Sequence, residues 1–266
     1  MGMLRFISYN IRCNTTVDGE NAWPFRRERV ASLLQLYRPD LLGLQEVLQE
    51  QLDYLVAALP EFGWIGAGRD DGQMAGEYVP IFYRRSQVEL IDSGVFWLSE
   101  TPDVVGSRGW DASLPRTVTW ANFVHKETNT PLICLNTHFD HRGPQAQVES
   151  AHLLRRFLAT QAEKGPSIVS GDFNCTSESS TYQALTADVV DGPILLDTMF
   201  QSQSPHHGPS ATFNSRFADP LDEKIDYIFC LPGTRVLRHA VLADHWDGLY
   251  PSDHLPVLVD IELEMT

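Results

Sequence analysis

The stretch SIVSGDFNCTSES, residues 167–179, ends a run of small and apolar residues with an acid and an amide. Ile168 and Val169 favour a buried strand, and Asp172 and Asn174 come directly after it. A core strand gains nothing from an unpaired carboxylate, because burying one is costly or shifts its pKa. The pair therefore indicates either a turn, where Asp and Asn are common, or the floor of a functional site at the end of a strand.

The same pattern recurs along the chain, which favours the site over the turn. Apolar runs end on or beside an acid, an amide or an imidazole at Asn10, Glu46, His138, Asp172, Asn174, Asp226, Asp253 and His254. A sheet holds such groups rigidly while the loops beside them admit a ligand. Amide and carboxylate oxygens suit Mg²⁺ and also Mn²⁺, whereas Zn²⁺ favours His and Cys. The set predicts a hard divalent cation without histidine ligands, and a histidine that acts on the substrate.

The composition is that of a globular protein. Of 266 residues, 43% are hydrophobic and 21% are charged, which suffices for one large core or at most two modest domains. No linker divides the chain, so we expect a single domain over residues 1–266. The four cysteines form no Cys-x-x-Cys pair, which argues against a zinc knuckle. Nothing in the sequence demands disulfides or reaches the length of a membrane helix, so we expect a cytoplasmic monomer without a membrane partner.

The net charge of −15 argues against a partner that is a long nucleic acid. Proteins that bind duplex backbone usually present a basic face. The only Lys/Arg cluster here is Arg26, Arg27 and Arg29. A phosphate ester, or the end of a short single-stranded nucleic acid, remains a possible substrate.

Apolar periodicity predicts a mixture of strands and helices. Strands are predicted over 4–10, 41–46, 78–85, 88–99, 117–126, 131–138, 166–172, 224–231, 235–244 and 255–263. Helices are predicted over 23–39, 50–59 and 145–164. Strands outnumber helices, yet helices recur between buried strands, so we expect two packed sheets with helices outside them.

Six short motifs occur in the order seen in the endonuclease/exonuclease/phosphatase (DNase I-like) superfamily. They are Tyr9–Asn10 (YN), Leu44–Glu46 (LQE), Asn136–His138 (NTH), Gly171–Asn174 (GDFN), Ile225–Ile228 (IDYI) and Ser252–Val257 (SDHLPV). The resemblance spans residues 4–263. Each motif alone is weak, but six in order are strong. Within the superfamily the chain resembles small bacterial members near the deadenylase/nocturnin-like branch.

This resemblance implies a fold and a set of roles. The fold would be a four-layered α/β/β/α sandwich of two packed mixed sheets. The metal ligands would be Asn10, Glu46 and Asp253. Asp172 would position and deprotonate the attacking water, Asn174 would bind a phosphate oxygen, and Asp226 would orient His254 toward the phosphate. His138 stands where abasic-site nucleases carry Tyr, which moves the interpretation away from abasic-site repair.

Three further residues are candidates for contact with the substrate. Arg116 either grips a phosphate as a bidentate donor or pairs with an acid on the surface. Glu77 and Trp110 are predicted to line the substrate pocket, although an aromatic residue in a loop more often serves packing.

The sequence therefore predicts a Mg²⁺-dependent phosphoesterase that hydrolyses a phosphate monoester or diester by in-line attack of water, with a small molecule favoured. The alternative is a nuclease, such as a 3′–5′ RNA exonuclease that acts on single-stranded ends. A lesser alternative is a non-catalytic module that binds phosphate or a partner. The intact acid set favours an enzyme, because a binding module could lose Asp172 or His254 without harm.

Overall fold

The computed structural model describes residues 2–161, 165–188, 192–219, 221 and 223–264. Its strands are β1 (Gly2–Asn10), β2 (Leu41–Gln45), β3 (Phe62–Ile65), β4 (Ile81–Arg84), β5 (Val88–Trp97), β6 (Thr117–His125), β7 (Thr130–His138), β8 (Ser167–Asp172), β9 (Leu196–Asp197), β10 (Asp226–Cys230), β11 (Arg235–Val241) and β12 (Val257–Leu263). Its α-helices are α1 (Trp23–Tyr37), α2 (Gln49–Ala58), α3 (Pro144–Ala159), α4 (Ser180–Thr186) and α5 (Thr198–Gln201).

The strands form two six-stranded mixed sheets. The first sheet has the order β11-β12-β1-β2-β4-β3, and the second has the order β5-β6-β7-β8-β10-β9. Near the middle of each sheet lies a parallel pair, β1 with β2 and β7 with β8. The expected pair of mixed sheets is confirmed.

Three buried apolar clusters separate the layers. Phe6 of β1 and Ile168 of β8 share a cluster between the two sheets. Ile7 of β1 points the other way and joins a cluster with residues of α1 and α2. Val169 of β8 does the same on the opposite side, with residues of α3 and α4. The layers thus follow the expected order of helices, sheet, sheet and helices, because neighbouring residues of a strand face opposite sides.

The residues between the sheets change from apolar to polar toward one end of three central strands. The series runs Phe6, Ser8 and Asn10 in β1, Cys134, Asn136 and His138 in β7, and Ile168, Ser170 and Asp172 in β8. Every second residue faces the same side of a strand. The space between the sheets is therefore apolar at one end, holds small polar side chains in the middle, and ends at the predicted site residues.

The middle polar layer ties the two sheets together. Gln45 Nε2 donates to Asn136 Oδ1 at 2.6 Å and to Ser8 Oγ at 3.2 Å. Asn136 Nδ2 in turn donates to the carbonyl of Leu44 at 2.7 Å. Gly43 leaves room for this crossing, since a Cβ there would lie 2.7 Å from Asn136 Oδ1. Buried polar networks fix relative positions, so this one places the end of β2 against the end of β7.

Several predicted boundaries differ from the structure. The strand predicted over 78–85 begins only at Ile81, because Pro80 has no N–H for the ladder. The helix predicted over 145–164 ends at Ala159, and residues 162–164 lie outside the described residues. Short elements were missed, namely β3, β9, α4 and α5, because so few residues show no clear period. Among the described helices, none combines the length and the apolar character that crossing a membrane requires.

Candidate active site

Strand topology gathers the predicted residues at one edge of the sandwich. Asn10 is paired with Gln45 in the parallel β1–β2 ladder, so Glu46 follows at the same edge. In the second sheet, His138 pairs with Asp172 in parallel and Asp226 pairs with Asp172 antiparallel. The carboxyl ends of four strands and the amino end of β10 thus meet there.

His254 is held and charged by Asp226. Its Nδ1 donates to Asp226 Oδ2 at 2.8 Å. Burial alone would lower the pKa of His254, but the charge and hydrogen bond of Asp226 raise it to about 10. Thr212 supports the pair, because its Oγ1 donates to the same oxygen of Asp226 at 2.6 Å. Orientation of His254 by Asp226 is therefore present in the geometry.

Asp172 lies at the junction of the two sheets. Its Oδ2 accepts from Asn10 Nδ2 at 3.0 Å, and its Oδ1 accepts from the Asn174 N–H at 2.9 Å. His138 Nε2 lies 3.5 Å from Oδ2. Burial, together with the charge of Asp226, raises the pKa of Asp172 to about 7. A carboxyl group that titrates near neutral pH is suited to accept a proton from water.

Glu46 is turned into the site by its backbone. Its φ of 59° is left-handed and ends β2, and such conformations in non-glycine residues cluster at functional sites. Its carboxylate accepts from Asn10 Nδ2 and from the Cys13 N–H, both at 3.0 Å. Burial acts to raise the pKa of Glu46, but His254 and the Cys13 N–H lower it. Glu46 is not the cap of α2, since Leu48 takes that position.

Two groups of acids, each with a histidine, are close enough to hold a cation: Glu46, His138 and Asp172, and Asp172, Asp226 and His254. Ligand atoms of Glu46, His138 and Asp172 all lie within 4.8 Å of one another, which brings a histidine within reach where we expected none. The predicted ligands Glu46 and Asp253 lie on either side of the Arg12 guanidinium, each 3.8 Å from one of its nitrogens.

The site opens into a cleft of about 480 Å³. The cleft is lined by Arg12, Cys13, Glu46, Glu77, Leu114, Arg116, His138, His141, Asp172, Asn174, Phe213, Glu223, Ile225, Asp253 and His254. Of the predicted residues, Asn10 and Asp226 lie beneath this surface and hold others in place by hydrogen bonds. In the described part of the chain Trp110 is not a lining residue. Trp110 has a left-handed backbone conformation, and its N–H donates to the carboxylate of Glu100.

Arg116 is buried in the cleft wall and does not pair on the surface. Only 5% of it is exposed. Its Nη2 donates to His141 Nδ1 at 3.2 Å, while the carboxylate of Glu77 is 3.9 Å from Nη1. Burial and the nearby charges of Arg116 and Arg69 hold the pKa of His138 well below its usual range. His138 is therefore a neutral imidazole beside a cation.

Sequence reasoning missed three residues that shape the site. Thr212 fixes Asp226, as described above. Phe213 lines the cleft, and the centroid of its ring lies 4.9 Å from that of the His254 ring. Arg69 binds Glu77 with both terminal nitrogens, at 2.6 and 3.0 Å. The available signal for Arg69 was the glycine-rich stretch around it; Thr212 and Phe213 follow a Pro/Ser/Gly stretch that predicts only a solvated loop.

Comparison with known proteins identifies the family. Residues 7–254 match the model of the Endonuclease/Exonuclease/phosphatase family. The fold is similar to that of an endonuclease/exonuclease/phosphatase from Bacteroides vulgatus, at 39% identity over 99% of this chain and 100% of that one, with a TM-score of 0.93. It is also similar to a mannosyl-6-phosphatase from Bacteroides thetaiotaomicron, at 34% identity over 98% of this chain and 100% of that one, with a TM-score of 0.91.

Curated relatives are more distant. A probable CCR4-Not complex 3′-5′-exoribonuclease subunit Ccr4 from Encephalitozoon cuniculi is 25% identical over 87% of this chain, which spans 55% of that protein. The chain spans 36% of a matching protein of Acanthamoeba polyphaga mimivirus. From the family match and the close structural relatives, the chain belongs to the endonuclease/exonuclease/phosphatase family and is a hydrolase of phosphoric esters.

Proposed function

We propose that this protein is a metal-dependent phosphoesterase whose substrate is a small phosphate ester of the sugar-phosphate class. The observation that carries the proposal is the cleft. At about 480 Å³ it has the size of a small-molecule site, and the acids and His254 lie in its wall beside the buried Arg116. The similarity to a mannosyl-6-phosphatase at 34% identity supports the same class of substrate.

The residues present fit a hard divalent cation. Glu46 and Asp253 line the cleft with carboxylate oxygens, and the amide of Asn10 lies against Glu46; Mg²⁺ and Mn²⁺ prefer carboxylate and amide ligands. We propose these three as the ligands, with Mg²⁺ as the ion and Mn²⁺ as a substitute. Such an ion supplies positive charge that stabilises a phosphoryl group during displacement.

The protein side chains take the remaining roles. Asp172, with its pKa raised to about 7 by burial and by Asp226, accepts a proton from the attacking water. His254 stays protonated beside Asp226 and donates to phosphate oxygens as their charge builds. Asn174 lines the cleft and offers its amide to a phosphate oxygen, and neutral His138 donates or accepts a hydrogen bond next to Asp172.

A nuclease that acts on single-stranded ends is the second candidate. Phe213 lines the cleft, and aromatic rings stack on unpaired bases. The similarity to a Ccr4 exoribonuclease subunit points the same way, at 25% identity. A non-catalytic binding module is the weakest candidate, because such a module would have no use for a buried carboxyl group with a pKa near neutrality.

The proposal extends to the setting of the enzyme. A single domain over residues 1–266 is supported by the site itself, since both sheets supply its residues, and we propose that the protein acts as a monomer. A cytoplasmic location is supported by the four cysteines, which are all free.

The test is a substrate screen with a metal series. Sugar phosphates, mononucleotides, an aryl phosphodiester and a short single-stranded RNA are offered with EDTA, Mg²⁺ or Mn²⁺. We expect the highest kcat/KM on a sugar phosphate, complete loss with EDTA and recovery with either ion. Turnover that survives EDTA would contradict the metal dependence, and a preference for the RNA would put the nuclease first.

A further inference from the structure

Arg116 is a buried cation whose hydrogen-bonding capacity is largely unused. Among the residues that the structure describes, its Nε and Nη1 have no hydrogen-bond partner, although both are buried. Asp140 lies 3.7 Å from Nε, and Glu77 lies 3.9 Å from Nη1. These distances are too long for hydrogen bonds. The two carboxylates therefore offset the charge of Arg116 and leave two of its nitrogens free to donate.

Asp140 forms no hydrogen bond with Arg116, because other donors already occupy the oxygens of Asp140. Its Oδ2 accepts from the hydroxyl of Ser113 at 2.7 Å and from the backbone N–H groups of Ser113 and Leu114 at 3.0 and 3.2 Å. Its Oδ1 accepts from the N–H groups of Arg142 and Gly143 at 2.9 and 2.8 Å. This carboxylate holds two loops together and has no lone pair to spare for a bidentate pair with Arg116.

Glu77 is occupied by Arg69 instead. Arg69 Nη1 and Nη2 contact the two oxygens of Glu77 at 2.6 and 3.0 Å, which is the strong fork-to-fork geometry. The loop between β3 and β4 is folded to make this pair, because the Arg69 N–H donates to the Glu77 carbonyl at 3.1 Å. The buried indole of Trp97 anchors the same loop, donating to the Arg69 carbonyl at 2.7 Å.

We propose that Arg69 is a positioning residue that keeps Glu77 from capturing Arg116, so that the Arg116 guanidinium, which lines the cleft, stays free to bind the anionic group of the substrate. This inference rests on the proposed function, because it concerns the same cleft. Without Arg69, Glu77 would be a half-buried carboxylate without its closest cation, which is unfavourable. The nearest cation is Arg116, and a shift of about 1 Å would close their gap to a hydrogen bond.

The test measures the binding of inorganic phosphate by calorimetry in Mg²⁺ buffer, alongside KM and kcat on the best ester. Arg69→Gln should weaken phosphate binding and raise KM by roughly 10-fold, because charge-assisted hydrogen bonds to the anion are lost. Its kcat should change much less. Arg69→Lys, which keeps the charge that engages Glu77, should restore part of the affinity.

The decisive comparison is the double variant Arg69→Gln/Glu77→Gln, measured against Glu77→Gln alone. If Arg69 acts by occupying Glu77, removing both charges frees Arg116 again, and phosphate binding returns to that of Glu77→Gln. A double-mutant cycle isolates this coupling. Arg116→Gln gives the lower limit of binding, and melting temperatures show which variants fold.

The outcomes separate this inference from the proposed function. Unchanged phosphate affinity in Arg69→Gln, or no recovery in the double variant, overturns the role of Arg69 even if the enzyme hydrolyses sugar phosphates. If Arg69→Gln does not fold, Arg69→Lys takes its place: unchanged phosphate affinity in that variant, or no recovery when Glu77→Gln is added to it, overturns the role as well. Phosphate binding that follows the predicted order supports the inference even if another ester proves to be the substrate.

Discussion

Asn10 joins the two halves of the site through a single amide group. Its Nδ2 donates to Glu46 of the first sheet and to Asp172 of the second, both at 3.0 Å. Its Oδ1 accepts from the Arg12 N–H at 3.0 Å. Two carboxylates that would repel each other are thus held on opposite sides of one donor. The distances within the site depend on this residue as much as on the acids.

The charged residues around Asn10 should have the largest effect on kcat. We expect His254→Ala and Asp172→Asn each to lower kcat by about 100-fold or more, because each removes a group that acts on the transition state. Steady-state kinetics on a phosphomonoester with Mg²⁺ measures the effect, and circular dichroism checks the fold. Near-normal turnover by His254→Ala would contradict its assigned role. The double variant should lose little more than either single one, because the groups act as a unit.

Thr212 should affect turnover through Asp226 without touching the substrate. Thr212→Val keeps the shape but removes the hydroxyl that donates to Asp226 Oδ2. We expect kcat to fall by roughly 10-fold, as when a supporting hydrogen bond behind a functional residue is lost. Thr212→Ser, which keeps the hydroxyl, is the matched control and should retain most of the activity. Equal losses in both variants would show that packing, and not the hydroxyl, matters at this position.

The site residues that end or directly adjoin strands were predictable from the sequence, whereas Arg69, Thr212 and Phe213, which lie in longer loops, were not. Asn10, His138 and Asp172 follow apolar runs with a period of two, so their common edge could be inferred from a parallel arrangement. Arg69 and Thr212 come from loops whose path depends on distant contacts, such as the bond between Trp97 and the Arg69 carbonyl. No local pattern encodes such a path.

At the scale of the elements, the long periodic segments were predictable and the short ones were not. The end of β8 has a residue requirement that is set by the neighbouring strand, β7. A Cβ on Gly171, whose φ is 155°, would lie 2.2 Å from the Thr137 carbonyl oxygen of β7. Glycine in the GDFN motif is therefore required by the approach of two strands, which becomes visible only when both are in place.

Strand β11 carries a buried histidine that should make stability depend on pH. His239 is 1% exposed and contacts His206 through the Nδ1 atoms of both rings at 2.9 Å. Burial, with smaller contributions from Lys224 and His206, lowers the pKa of His239 to about 3. An unfolded histidine has a pKa of about 6.5. Above that value His239 is neutral in both states and contributes no pH dependence.

As the pH falls below about 6.5, His239 becomes protonated in the unfolded chain but stays neutral in the folded protein. The free energy of unfolding should therefore fall by up to about 1.4 kcal/mol per pH unit from this group alone, down to about pH 3. Urea unfolding between pH 7.5 and 5 measures the slope. His239→Gln should show a shallower slope over this range, and identical slopes would contradict the assignment.

The whole molecule should disfavour long polyanions. Its net charge is −15 with 20 Lys and Arg in total, and the cationic side chains among the cleft residues are Arg12 and Arg116, apart from protonated His254. Arg12 already binds Asp18 through two nitrogens. Nothing in the lining resembles the track of cations that follows a nucleic-acid backbone.

We therefore expect kcat/KM on a sugar phosphate to exceed that on plasmid DNA and to depend weakly on salt. A protein that neutralised several duplex phosphates would lose roughly 0.9 log units of affinity per phosphate for each log unit of salt. Measuring both substrates from low to physiological salt separates the cases. Efficient nicking of plasmid DNA with a steep salt slope would contradict this expectation.

The pairing of β1 with β12 has a consequence for the order in which activity appears during refolding. Asn10 Nδ2 and His254 Nε2 lie 3.4 Å apart, although the two residues are 244 positions apart in the sequence. The antiparallel β1–β12 ladder brings them together. Such distant pairings form slowly, because a long loop must close before any contact rewards it. Helices α1 to α3 can form from local sequence well before that moment. During refolding, hydrolysis should therefore return later than the helical ellipticity. The time at which turnover appears then reports when the first sheet has closed.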